Sequence, residues 1–167
     1  MKFTLKLAHV VKINKAFDLL KSASKTLAEK NIKQWDYWQN PPIEKVNWVK
    51  EGFSNNEFYF IENDNKELMG MVRIMDKDLT YWGAMNDKAK YVHSLVISEK
   101  FSGNRLGTEV VKKIEKDAKK DNYDYLRLDC DSTNLKLCQY YEQQGFVKVG
   151  QKKLPLGVYN LYQKELI

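Results

Sequence analysis

The sequence predicts an α+β fold of three α/β/α layers, with a mixed, twisted central sheet of about seven strands flanked by about four helices. Three observations carry that expectation. Short runs rich in β-branched and aromatic residues recur along the whole chain. Segments of helical period stand among them early and late, while the middle reads as an antiparallel meander. No Gly/Ser linker, internal repeat or low-complexity tract breaks the 167 residues, so one domain over 1–167 is expected.

The strands are expected at 3–7, 57–62, 68–75, 91–97, 125–130, 146–149 and 158–165. Turn residues separate the middle ones: Asn63-Asp64-Asn65 after the second, and Met75-Asp76-Lys77-Asp78 after the third. The first helix is expected over 13–27, where Ile13, Phe17, Leu20, Ala23 and Leu27 fall on one face. A short helix follows within 41–53, with Pro42 suited to its first turn and Val46 and Val49 facing inward. The third runs from Leu106 to about Ala118. The fourth covers 134–144, with Asn134 as N-cap and Gly145 as C-terminal stop.

Charge and cysteine usage narrow the function. With 28 basic and 22 acidic residues the formal charge is +6, which suits an anionic ligand. The lysines are scattered and interleaved with Asp and Glu, so a nucleic-acid partner is not expected. No apolar run approaches the ~20 residues of a membrane span, and Lys6 interrupts any apolar signal region. A cytoplasmic location without membrane contact is therefore expected. Cys130 and Cys138 sit in apolar patterns and read as small buried hydrophobes. His9 and His93 show no ligand-like spacing with them, so no metal site is expected.

The stretch 102–108, Ser102-Gly103-Asn104-Arg105-Leu106-Gly107-Thr108, joins an apolar strand to a helix start. Unpaired N–H groups and the helix dipole make such a turn a place for phosphates. It matches neither the dinucleotide fingerprint nor the Walker loop. Taken alone it is read equally well as a plain strand-to-helix turn ahead of a basic helix face.

Two later segments decide the matter. The first is Asp129-Cys130-Asp131-Ser132-Thr133-Asn134, at a strand end and helix start. The second is Tyr140-Tyr141-Glu142-Gln143-Gln144-Gly145-Phe146. With the loop they resemble the GNAT superfamily of N-acetyltransferases, closely over 91–149 and more loosely over 3–38. The family's coenzyme loop reads Q/R-x-x-G-x-G/A after a strand. Here Gly107 matches, Ser102 stands where Gln or Arg is usual, and Arg105 stands where the first motif Gly is usual. The later signature reads Asn134-x-x-Leu137-x-x-Tyr140-Tyr141-Glu142-x-x-Gly145-Phe146.

The resemblance implies transfer of an acetyl group from acetyl-coenzyme A to a primary amine, directly within a ternary complex. It implies Tyr141 as the general acid that protonates the leaving thiolate. Backbone groups of Leu95, Val96 and Ile97 would hold the pantetheine arm like an added strand. Gly103, Asn104, Arg105, Leu106, Gly107 and Thr108 would hold the diphosphate. Asn134 would meet the coenzyme near the pantetheine, a role compatible with capping a helix. His93 is one candidate for the base, since imidazole titrates near neutrality. Asp129 is another, and a water chain is the third. The partner would be a small-molecule or peptide amine, and a homodimer is compatible with this reading. The aromatic segments Gln34-Trp35, Tyr37-Trp38 and Tyr81-Trp82 either stack a ligand or pack the core, the more usual place for large aromatics. The alternative is a non-catalytic acyl-coenzyme A sensor or interaction module on the same fold.

Overall fold

The computed structural model describes residues 1–167. They form a mixed seven-stranded sheet with four α-helices, an α+β arrangement. In chain order the elements are β1 (Thr4–Leu7), α1 (Ile13–Glu29), α2 (Ile43–Ser54), β2 (Phe58–Glu62), β3 (Leu68–Met75), β4 (Ala89–Ile97), α3 (Leu106–Lys120), β5 (Tyr125–Asp131), α4 (Leu135–Glu142), β6 (Val147–Leu154) and β7 (Gly157–Glu165). Each expected helix and strand is present. The chain divides into two compact units: Met1–Ile74 with Ser94–Gly107, and Met75–His93 with Thr108–Ile167.

In the first unit β1, β2 and β3 form an antiparallel meander. The turn between β2 and β3 is built by Asn63, whose Oδ1 accepts from the backbone N–H of both Asn65 and Glu67 at 3.0 Å. The aromatic side chains of β2 supply half of a core: Phe58 and Phe60 pack with Phe53 of α2 and with Ala16, Leu19 and Leu20 of α1. Phe53 and Phe58 stack with ring centroids 4.8 Å apart. Leu20 is buried as expected, whereas Ile13, Phe17 and Ala23 only border the cluster. Ser24 joins the buried face because its hydroxyl donates to the Lys21 carbonyl at 2.8 Å.

Arg73 of β3 is fully buried in this unit. Its guanidinium donates twice to Glu57 Oε2, at 2.9 and 2.6 Å, and once to the Trp48 carbonyl at 2.9 Å. With its charge paired and its donors occupied, the arginine is tolerated inside.

In the second unit β5 pairs in parallel with the start of β4, from Ala89–Tyr125 to Val92–Leu128. That pairing ends one residue before His93. β7 lies antiparallel to β5, and β6 lies antiparallel to β7. The last hairpin corrects one expected boundary, because β6 reaches Leu154 rather than ending at 149. Its added residues Gly150-Gln151-Lys152-Lys153 carry no apolar alternation. They form a strand because β7 supplies the ladder, and a bulge near Lys148 and Gly150 absorbs one residue. Arg127 of β5 is buried against Trp82, Tyr91 and Tyr125, with its charge met by Asp87.

Candidate active site

The loop that follows β4 has a backbone reason for its composition. Gly103 has φ +81° and Arg105 has φ +56°, both in the left-handed region. A side chain in that conformation costs about 1–2 kcal/mol, which glycine avoids. The position at which the family favours glycine is therefore one that needs a left-handed residue, and here an arginine fills it. At Gly103 the requirement is also conformational, because an added Cβ would meet nothing within 4 Å. Left-handed residues in a turn direct successive N–H groups to one side, forming a concavity for anions. Ser102 closes the preceding turn: its N–H and its hydroxyl both reach the Glu99 carbonyl, at 3.1 and 3.0 Å. The residues present fit a diphosphate held by backbone groups.

Strand β4 carries its own irregularity. Ser94 has φ +50° in mid-strand, a left-handed residue inside an otherwise extended run. Leu95 and Ile97 beyond it are half-buried and Val96 is buried. Within the same unit Gly70 of β3 lies against Val96, and the Ser98 N–H donates to the Met69 carbonyl at 2.8 Å.

In the second unit His93 is 9% exposed and lies between two carboxylates. Its Nε2 is 2.5 Å from Asp78 Oδ2 and its Nδ1 is 3.3 Å from Asp129 Oδ2. Tyr81 tilts against the imidazole at 5.0 Å between centroids, and Tyr159 meets Tyr81 edge-on at 5.2 Å. Burial, then the charges of Asp131 and Asp129, push the Tyr159 phenol up to about 12. The two carboxylates approach different ring nitrogens. One oxygen of Asp78, one of Asp129 and a ring nitrogen of His93 lie within 4.8 Å of one another, a grouping of metal-ligand type that the sequence spacing does not display.

Helix α4 presents the other predicted side chains. Asn134 is its N-cap, accepting from the Leu137 N–H at 3.2 Å, and Gly145 follows its end with φ +89°. Tyr141 is 8% exposed and its ring packs edge-on against Tyr140 and Phe146. Burial first, then Cys130, Tyr140 and Asp129, raise its phenol well above the ordinary value near 10. Tyr141 thus holds its proton throughout the neutral range. Tyr140 hydrogen-bonds to Thr108 at the start of α3, hydroxyl to hydroxyl at 2.9 Å.

Asp129 is where the predicted chemistry meets. Its charge acts on Tyr141 and Tyr159, and its carboxylate contacts His93. Asp78 and Tyr159 were not singled out from the sequence. Asp78 lies 15 residues from His93 and Tyr159 lies 66 away, in segments that read only as a turn and a strand. The repeated Asp in the turn 75–78 was the one visible signal. Cys130 and Cys138 are buried, and burial pushes the Cys130 thiol far up, away from the nucleophilic thiolate.

The fold is the one that solved acetyltransferases of this kind adopt. Residues 25–146 match the Acetyltransferase (GNAT) family, and the chain belongs to that family. It is 27% identical over 112 residues to the uncharacterized N-acetyltransferase YesJ of Bacillus subtilis (strain 168); the match covers 64% of this chain and 61% of that protein, less than two thirds of the relative's length. The crystal structure of a GNAT family acetyltransferase from Listeria monocytogenes 4b F2365 superposes with a TM-score of 0.80 at 28% identity. That match covers 98% of this chain and 94% of the other. The aminoglycoside acetyltransferase AAC(6')-Ib, in complex with coenzyme A and kanamycin, gives a TM-score of 0.72 at 18% identity, covering 98% and 95%. The last shares the fold.

Proposed function

We propose that the chain works as a single N-acetyltransferase domain, transferring an acetyl group from acetyl-coenzyme A to a primary amine of a small molecule or peptide. The observation that carries this reading is a buried phenol at Tyr141 that keeps its proton together with an imidazole at His93 set between two carboxylates, the charge of Asp129 acting on both. Acyl transfer from a thioester to an amine needs one group that gives a proton and another that takes one.

His93, or Asp129 beside it, takes the proton from the attacking nitrogen, whose N–H electron pair stays on nitrogen. A bond forms between that nitrogen and the acetyl carbon. Tyr141 gives its proton to the sulfur as the carbon–sulfur bond breaks and the electron pair leaves with sulfur. A proton then passes through solvent from the base to Tyr141, restoring both. Backbone groups of Leu95, Val96 and Ile97 hold the pantetheine arm, and those of 103–108 hold the diphosphate, with Asn134 near the pantetheine. The left-handed residues Gly103 and Arg105 support the diphosphate role.

Direct transfer is favoured over a covalent acyl-enzyme because both cysteines are buried and Cys130 is held as the thiol. The kanamycin complex of the aminoglycoside enzyme supports a small cationic amine as acceptor. No helix of the chain is long and apolar enough to cross a membrane. The reading is tested by incubating the purified protein with acetyl-coenzyme A and a panel of amines. It expects free thiol and an acetylated amine in equal amounts from at least one class.

A further inference from the structure

Asp78 divides its two carboxylate oxygens between two tasks. Oδ1 accepts the Tyr81 N–H at 3.1 Å, closing the turn that also brings the Trp82 N–H to the Asp78 carbonyl at 3.0 Å. Oδ2 is 2.5 Å from His93 Nε2. The residue is 3% exposed, so its charge meets the imidazole with little screening by water. A carboxylate ordinarily avoids such burial unless it is paired and hydrogen-bonded. Both conditions are met here, and the fixed turn leaves Oδ2 one partner.

A neutral imidazole has one N–H, and so donates to one carboxylate only. The contact of 2.5 Å to Asp78 against 3.3 Å to Asp129 decides which nitrogen keeps it. We infer that Asp78 is a positioning residue for the acetyl transfer: it holds the neutral His93 as the Nε2–H tautomer, leaving Nδ1, on the Asp129 side, as the atom that takes the proton. After that transfer the imidazolium lies between the charges of Asp78 and Asp129, and two buried carboxylates stabilise it. Asp78 fixes the ring's orientation, as a carboxylate does beside a catalytic histidine. The inference rests on the acetyltransferase reading only for its kinetic consequence; the tautomer stands or falls by itself.

The groups facing the imidazole come from three elements. The loop before β4 gives Asp78 and Tyr81, β5 gives Asp129, and β7 gives Tyr159 behind Tyr81. From α4, Tyr141 lies within the field of the Asp129 charge. Asp78 and Asp129 each bring a full charge to the histidine. Asp78 also lines a cavity of about 470 Å³ with Asp76, Asp87 and Tyr123.

The chain has two histidines, so His9→Gln leaves a single imidazole to observe. Nitrogen-15 spectra of that protein above the titration of the ring report the tautomer without any assay. The expected result is a protonated Nε2 and a lone pair on Nδ1; the opposite assignment overturns the inference. In the second arm Asp78→Asn keeps the turn, because the amide oxygen accepts the Tyr81 N–H, but offers an NH2 to Nε2. If the wild-type protein releases thiol, this variant should lose on the order of tenfold or more in kcat/KM. The acid limb of its pH profile should move to lower pH, because the imidazolium loses a counter-charge. An unchanged profile overturns the role of Asp78, and an unaltered melting temperature separates that role from folding. Should Asp78→Asn fail to fold, the wild-type tautomer still decides. A wild-type protein that releases no thiol refutes the acetyltransferase reading and leaves the tautomer result intact.

Discussion

Gly70 of β3 lies directly against the carbonyl of Val96 in β4: a Cβ placed on Gly70 would come within 2.1 Å of that oxygen. No carbon approaches a carbonyl oxygen so closely, so the hydrogen of a glycine is what lets β3 support β4 at this level. Val96 is one of the three residues whose backbone is proposed to hold the pantetheine arm. The Gly70 contact therefore sets a position in the proposed coenzyme site from a strand that need not touch coenzyme.

Gly70→Ala is expected to displace β4 or to unfold locally, costing about 1–3 kcal/mol as overpacking does. Chemical denaturation measures that loss. In the fraction that remains folded, coenzyme A affinity measured by calorimetry should fall several-fold. Wild-type affinity together with wild-type stability would show that β4 is not held by this contact.

Arg105 offers the opposite case, a residue whose side chain works against its own backbone. Arg105→Gly should relieve the left-handed strain and stabilise the fold by about 1 kcal/mol. Coenzyme A binding should stay within about threefold of wild type, since backbone N–H groups rather than the guanidinium are proposed to hold the diphosphate. Arg105→Val, branched at Cβ in the same conformation, should lower the melting temperature instead. A large loss of affinity in Arg105→Gly would transfer the anion-binding role to the side chain.

The alkaline behaviour of the protein follows from its buried phenols. Tyr141 and Tyr159 both titrate above their ordinary range, the first well above and the second at about 12, with burial as the leading cause. In the unfolded chain both lose their protons near pH 10. Below that pH the two states bind equal numbers of protons at these sites and stability is unaffected. Between pH 10 and 12 the folded state binds more, so stability falls as pH rises. Denaturation curves should show little change from these groups up to about pH 9 and a decline beyond 10. The decline should be shallower in Tyr159→Phe; a slope equal to wild type would contradict the assignment.

Asn134 links folding to the site through a single hydrogen bond. As N-cap of α4 it accepts the Leu137 N–H, and α4 carries Tyr141. Asn134→Ala should cost about 1 kcal/mol in stability, whereas Asn134→Ser or Asn134→Asp should restore most of it. If Asn134 also meets the coenzyme, the serine variant recovers stability without recovering KM for acetyl-coenzyme A. Parallel recovery of both would leave the cap as its whole role.

Most of the architecture was legible because it depends on local signals. The alternation of Phe58 and Phe60, the turn at Asn63 and the cap at Asn134 each mark an element in a few neighbouring residues. β6 was read too short because its second half is polar and is held by its neighbour in the sheet rather than by apolar alternation. The family signature around Tyr141 was visible for the same local reason. The partners of His93 were not: Asp78 and Asp129 lie 15 residues before and 36 residues after it, brought in by a loop and a parallel strand. Nor does a sequence display φ, so Arg105 read as an exception until its left-handed backbone explained what glycine supplies elsewhere.

The central claim, direct acetyl transfer with Tyr141 as acid, meets its sharpest test in steady-state thiol release. Wild type and Tyr141→Phe would be compared with acetyl-coenzyme A and a responsive amine, with coenzyme affinity measured in parallel. The account predicts release by wild type and a loss of about 100-fold or more in kcat for the phenylalanine variant. Coenzyme affinity should be unchanged between the two. Equal turnover by both proteins would contradict the role of Tyr141, and coenzyme binding without thiol release from any amine would make the protein a sensor rather than an enzyme.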